Sequence, residues 1–170
     1  MAFVGVSLKN NKEQQELARL INENRRPIIL CTGNAGTGKT FAALAVALQL
    51  QSERRYRHVV YGRNPMPLGE DMGFLPGGLD EKYGPYMGPL YDNLEAIASL
   101  SNENLNPKEL AQRIEMVPIA FLRGRSFRDT ILIIDEAQNL DLTALKAILT
   151  RVGDYSKVIL LGSMNQIDDP

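Results

Sequence analysis

Between the apolar run Ile28, Ile29, Leu30, Cys31 and an Ala, Leu and Val-rich stretch from Lys39 to Ser52 lies GNAGTGKT, residues 33 to 40. No other feature limits the fold as tightly. The apolar run is too short for a buried helix and suits a central parallel strand. The stretch after it has neither Gly nor Pro and suits a helix packed on the sheet. Strand, glycine-rich turn and helix in direct succession make a βα unit of a parallel sheet.

The rest of the chain extends that reading. Asn11 to Asn24 carries Leu17, Leu20 and Ile21 at helical spacing, with Asn11 placed to cap and Gln14 three positions later. His58 to Tyr61, Ile131 to Ile134 and Val158 to Leu161 read as further strands. A helix starting at Asp141 places Leu145, Ile148, Leu149 and Val152 on one stripe. Asn64 to Gly88 is dense in Pro and Gly and is expected to be an ordered loop. A helix over Leu90 to Leu100 follows, then one opened by Asn106, Pro107 and Glu109, then an extended piece at Ile114 to Val117. We expect one domain over residues 1–170, with a Pro/Gly-rich insertion at about 64–113.

Composition excludes several classes. A hydrophobic share of 44% with 23% charged residues suits a globular core. The formal charge of −1 argues neither for nor against a polyanionic partner. Arg54, Arg55 and Arg57, and the sparser set Arg113, Arg123, Arg125 and Arg128, read as solvated surface that leaves a nucleic-acid contact open. Cys31 is the single cysteine, which excludes an intrachain disulfide and a cysteine zinc cluster. The N-terminal residues lack a secretory signal pattern and no run approaches the ~18 apolar residues of a membrane span, so a cytoplasmic location is expected.

Gly33, Asn34, Ala35, Gly36, Thr37, Gly38, Lys39 and Thr40 match GxxxxGK[ST] in full. Glycines allow backbone N–H groups to turn toward phosphate oxygens, and the helix start adds positive dipole. Lys39 then reaches the outer phosphates, while Thr40 offers a hydroxyl to Mg2+. Asp135 and Glu136 end an apolar strand where a parallel sheet would bring them beside this loop. Asp135 is the expected metal residue, and Glu136 the expected base for the attacking water. Gln166, just beyond the fourth strand, is placed to meet a terminal phosphate. Together these predict an α/β fold of the P-loop NTPase (RecA-like) type, a three-layer parallel sheet flanked by helices.

GNAGTGKT, GFLPGGLDEK with PYMGPLYDNL, RGRSF, ILIIDEAQN, LTRVG and QIDDP together closely resemble the PhoH-like ATPases, over nearly everything after Leu8. That family is similar to the first motor domain of superfamily 1 helicases. The resemblance implies Mg2+-dependent ATP hydrolysis, coupling to RNA or single-stranded nucleic acid, and a homo-oligomeric ring, often a hexamer. It implies that Gln14 contacts adenine, Lys39 and Thr40 the phosphates and metal, Asp135 and Glu136 the catalysis, and Gln166 the terminal phosphate. Arg63, Arg123, Arg125 and Arg151 match family arginines, one of which would touch nucleic-acid phosphate or reach a neighbour's ATP. Ser163 stands where the family carries Asp after Gly162, and the family's last strand is expected to be missing. The alternative reading is an ATP-binding switch or assembly module with little hydrolysis of its own.

Overall fold

The computed structural model describes residues 2–8, 11–63, 88–122 and 124–163. The expected loop at 64–88 lies outside them except for Gly88. A two-stranded antiparallel hairpin, β1 (Ala2–Phe3) and β2 (Val6–Ser7), opens the chain. Its turn holds Val4 and Gly5 at φ 44° and 76°. Then come α1 (Lys12–Asn22), β3 (Ile28–Thr32), α2 (Lys39–Ser52) and β4 (His58–Arg63). The 88–113 part of the insertion forms α3 (Gly88–Leu100) and α4 (Pro107–Gln112). The chain continues through β5 (Ile114–Pro118), α5 (Ile119–Leu122), β6 (Thr130–Asp135), a 3-10 turn at Ala137–Asn139, α6 (Leu142–Leu149) and β7 (Lys157–Gly162).

Five strands form one wholly parallel sheet in the order β3-β7-β6-β4-β5. Alternate residues divide it into two apolar faces. Val59, Tyr61, Ile131, Ile133, Ile159 and Leu161 pack with α1, α2, α3 and α4, while Val60, Leu132, Ile134, Val158 and Leu160 pack with α5 and α6. The result is the expected three layers. β6 and β7 are buried along their whole length, which explains their unbroken apolar sequence. Each such Ile or Leu contributes roughly 1.5–3 kcal/mol relative to exposure.

Two expectations change in detail, and one unforeseen contact appears. β3 is an edge strand among the described residues: Ile29 is buried, but Ile28 and Leu30 are 48% and 66% exposed. Four apolar residues in a row could not reveal which sheet position they occupy. Val152 lies beyond α6 and instead forms a bridge with Phe127. Lys157, at the start of β7, is buried, with its ammonium donating to the carbonyls of Ile21 and Glu23 at 2.5 Å each. It thereby satisfies orphan carbonyls at the end of α1.

The strand order positions the functional residues. β7 stands between β3 and β6, so the turn leaving β3 and the acids leaving β6 are two strand spacings apart, roughly 10 Å. The end of β7, at Gly162 and Ser163, lies in the crevice between them. Chain direction away from β3 and β6 differs there, the setting in which open parallel sheets hold ligands.

Candidate functional site

The loop between β3 and α2 owes its shape to its glycines. Gly36 and Gly38 adopt φ of 74° and 77°, a left-handed backbone that strains other residues. At Gly38 space is also decisive, because a Cβ there would lie 2.4 Å from Nε2 of Gln14. Gln14 reaches the loop from the first turn of α1 and donates to the carbonyl of Thr37 at 3.0 Å. Asn11 alone caps α1, its side chain accepting from the amides of Glu13 and Gln14 at 3.0 Å each. Gln14 therefore docks on the phosphate loop in place of closing a reciprocal capping box.

Lys39 Nζ donates to the carbonyls of Gly33 and Asn34 at 2.8 Å each. The ammonium is thus held over the loop by two neutral acceptors, which phosphate oxygens would replace with charged ones. One residue on, Thr40 Oγ1 donates to Oδ1 of Asp135 at 3.1 Å, joining the start of α2 to the tip of β6. Oδ2 of the same carboxylate accepts the hydroxyl of Tyr61 at 2.5 Å. Burial, followed by the neighbouring Asp135 carboxylate, pushes Tyr61 ionisation far above the ordinary tyrosine range, so the phenol remains a donor.

Glu136 sits at φ 53°, a left-handed conformation uncommon for a side-chain-bearing residue and characteristic of functional turns. Its two oxygens have different partners: Nε2 of Gln138 donates to Oε2 at 2.7 Å, and Arg63 approaches Oε1 at 3.7 Å. Gln138 also accepts from the amide of Ser163 at 3.0 Å. A Cβ at Gly162 would stand 3.2 Å from Gln138 Oε1, so glycine lets the amide lie against β7. Among the described residues, Ser163 Oγ is buried without a hydrogen-bond partner.

These groups surround a cleft of about 310 Å³ lined by the phosphate loop and Lys39, Thr40, Asp135, Glu136, Ser163 and Asn93. Thr40 and Asp135 supply hard oxygen donors side by side, and the described residues contain no cluster of three or more His, Cys, Asp or Glu side chains. Such a sparse oxygen set fits Mg2+, which keeps most of its shell from water and phosphate.

The other expected residues are dispersed. Arg63 flanks Glu136 within its own chain, through β4–β6 pairing that sets Arg63 opposite Asp135. Arg125 makes a two-pronged pair with Glu115 at 2.6 and 3.0 Å and lies over the Phe127 ring. Arg151 is exposed beyond α6. Gln166 and Arg123 lie outside the described residues. Nothing in the sequence assigns a site role to Tyr61 or Asn93, and Gln138 is marked only as the end of the DEAQ run. A tyrosine in an apolar strand reads as core, and Asn93 enters only through the packing of α3.

The family model described as PhoH-like protein matches residues 7–170. The chain belongs to the PhoH family. It is 41% identical to Protein PhoH2 of Bacillus subtilis over 170 residues, covering 98% of this chain and 38% of that protein. It is 41% identical over 144 residues to the PhoH-like protein of Mycobacterium tuberculosis (strain ATCC 25618 / H37Rv), covering 84% and 40%. Protein PhoH of Escherichia coli is 35% identical over 165 residues, with 96% and 46% covered. This PhoH-family chain thus spans less than half the length of these relatives. The large terminase of a thermophilic bacteriophage shares the fold, with a TM-score of 0.53 at 10% identity, covering 89% of this chain and 38% of that one. PhoH membership and a P-loop NTPase fold support a nucleotide-binding ATPase at the level of the family.

Proposed function

We propose that this chain binds ATP with Mg2+ in the cleft and hydrolyses it. The single observation that carries the reading is the Thr40–Asp135 hydrogen bond, which joins the phosphate loop and the acidic strand tip into one site at 3.1 Å. Loop amides and Lys39 hold the phosphate tail, and Gln14, which donates to the loop carbonyl of Thr37, would meet adenine as the family resemblance implies. Thr40 and Asp135 would hold Mg2+, which when bound supplies charge neutralisation at the phosphate oxygens. Glu136 orients and deprotonates the attacking water, with Gln138 fixing its carboxylate.

Measuring ATP binding and phosphate release on the same samples tests this. Lys39→Ala should abolish binding, whereas Glu136→Gln should keep binding and lose about 10²-fold or more in release. Unchanged release in Glu136→Gln overturns the hydrolytic reading. Coupling to RNA or single-stranded nucleic acid, ring assembly and a cytoplasmic location are further parts of the proposal, drawn from the family resemblance. Stimulation of release by added RNA, and sizing with ATP, test the first two.

A second reading is an ATP-dependent binding switch. Both oxygens of Glu136 have protein partners, and Ser163 supplies a hydroxyl where the family resemblance calls for a carboxylate. Binding without release, with or without RNA, would favour it.

A further inference from the structure

The two oxygens of Asp135 are chemically unlike. Oδ1 accepts from Thr40 at 3.1 Å and from the amide of Glu136 at 3.2 Å; Oδ2 accepts from Tyr61 at 2.5 Å. Tyr61 and Asp135 are 4% and 8% exposed, so water competes little for this contact. Tyr61 stands opposite Ile133 in the β4–β6 register, and its ring bridges the offset to Asp135 further along β6. A phenol buried this deeply needs an acceptor, and the Asp135 carboxylate provides it.

We propose that Tyr61 is a positioning residue for Mg2+ use at this site: its hydroxyl engages Oδ2 of Asp135 and fixes the carboxylate's rotation, leaving Oδ1 beside Thr40. The inference rests on the nucleotide reading above. A carboxylate without such a partner can turn about its Cβ–Cγ bond and offer either oxygen. Mg2+ requires near-ideal octahedral geometry, so a turning ligand weakens its capture. Hydrogen-bond partners that orient metal ligands commonly change metal affinity by about 10- to 100-fold. Tyr61 itself need touch neither metal nor phosphate.

The test uses the full chain and a fluorescent, non-hydrolysable ATP analogue, titrated with Mg2+ and, separately, in EDTA. Tyr61→Phe should match the wild type in nucleotide affinity in EDTA, with a thermal midpoint lowered by the lost buried hydrogen bond, yet require about tenfold more Mg2+ for half of the metal-dependent gain in affinity. Adding Tyr61→Phe to Asp135→Asn should cause no further loss. A Mg2+ midpoint within about twofold of wild type overturns the proposal, as does an equal loss of affinity in EDTA, which marks a structural role. If the wild type fails to bind the analogue, or Lys39→Ala binds it equally well, the nucleotide reading falls and this inference with it. Should Tyr61→Phe not fold, wild-type protein labelled at tyrosine Cζ decides the matter. The Tyr61 resonance should move when Mg2+ joins the bound analogue, and a stationary resonance overturns the proposal.

Discussion

Gln138 donates to Glu136 at 2.7 Å while accepting from the amide of Ser163 at 3.0 Å, so a single side-chain amide ties the proposed base to the end of β7. The bond holds a carboxylate at the one residue of the β6 tip with a left-handed backbone. Removing it should leave the nucleotide bound but the base poorly aimed. Gln138→Leu is expected to reduce phosphate release about tenfold, the equivalent of a hydrogen bond to a charged group, with little change in ATP affinity. Equal release by the two proteins would separate Gln138 from catalysis.

Two glycines of the phosphate loop should respond differently to the same change. Gly36 has φ 74° with no described residue within 4 Å of where a Cβ would stand, whereas at Gly38, with φ 77°, a Cβ would stand 2.4 Å from Gln14 Nε2. Gly36→Ala should destabilise by about 1 kcal/mol from backbone strain alone. Gly38→Ala should cost about 2–3 kcal/mol, adding displacement of Gln14 to that strain. Denaturant unfolding checks the order; similar values would mean that Gln14 swings aside freely.

Lys157 is a stability element remote from the cleft. Lys157→Met leaves the carbonyls at the end of α1 without their ammonium donor and should cost about 2–3 kcal/mol. Burial, then the nearby Arg55, lowers the lysine's pKa to about 8. The unfolded chain, with an ordinary lysine pKa near ~10.4, therefore binds this proton more tightly than the folded one. Stability should climb with pH between these values, and fall as pH drops through the folded value. Unfolding measured from about pH 7 to 11 should show that component in the wild type and not in Lys157→Met.

Arg63 and Arg125 offer a contrast between similar residues in different surroundings. Arg63 is a cation 3.7 Å from Glu136 and helps to fix the proposed base; Arg125 is engaged with Glu115 on the surface. Arg63→Ala should slow phosphate release severalfold. Arg125→Ala should leave it unchanged and cost at most about 1 kcal/mol of stability. The reverse pattern in parallel turnover and thermal-melt assays would reassign the two.

Local order was legible where chemistry repeats at short range. GNAGTGKT announces its turn because glycine conformations and an adjoining helix start are properties of neighbouring residues. The apolar run before Asp135 announces a strand buried on both faces, and Asn11 announces its helix cap. None of these signals states which strands pair. That β7 separates β3 from β6, and that β3 is an edge among the described residues, are decided by strand pairing between distant segments. In sequence Tyr61 is one more residue of an apolar strand, Gln138 only the end of the DEAQ run, and Lys157 carries no signal of its partners. They meet Asp135, Ser163 and Ile21 only across 74, 25 and 136 positions respectively. The sequence by itself determined the phosphate loop, the acidic strand tip and the α/β class, since each is set by local backbone preference and hydrophobic period. The tertiary structure alone decided which side chains hold those acids, because a hydrogen bond depends on distance in space, and only packing brings its partners together.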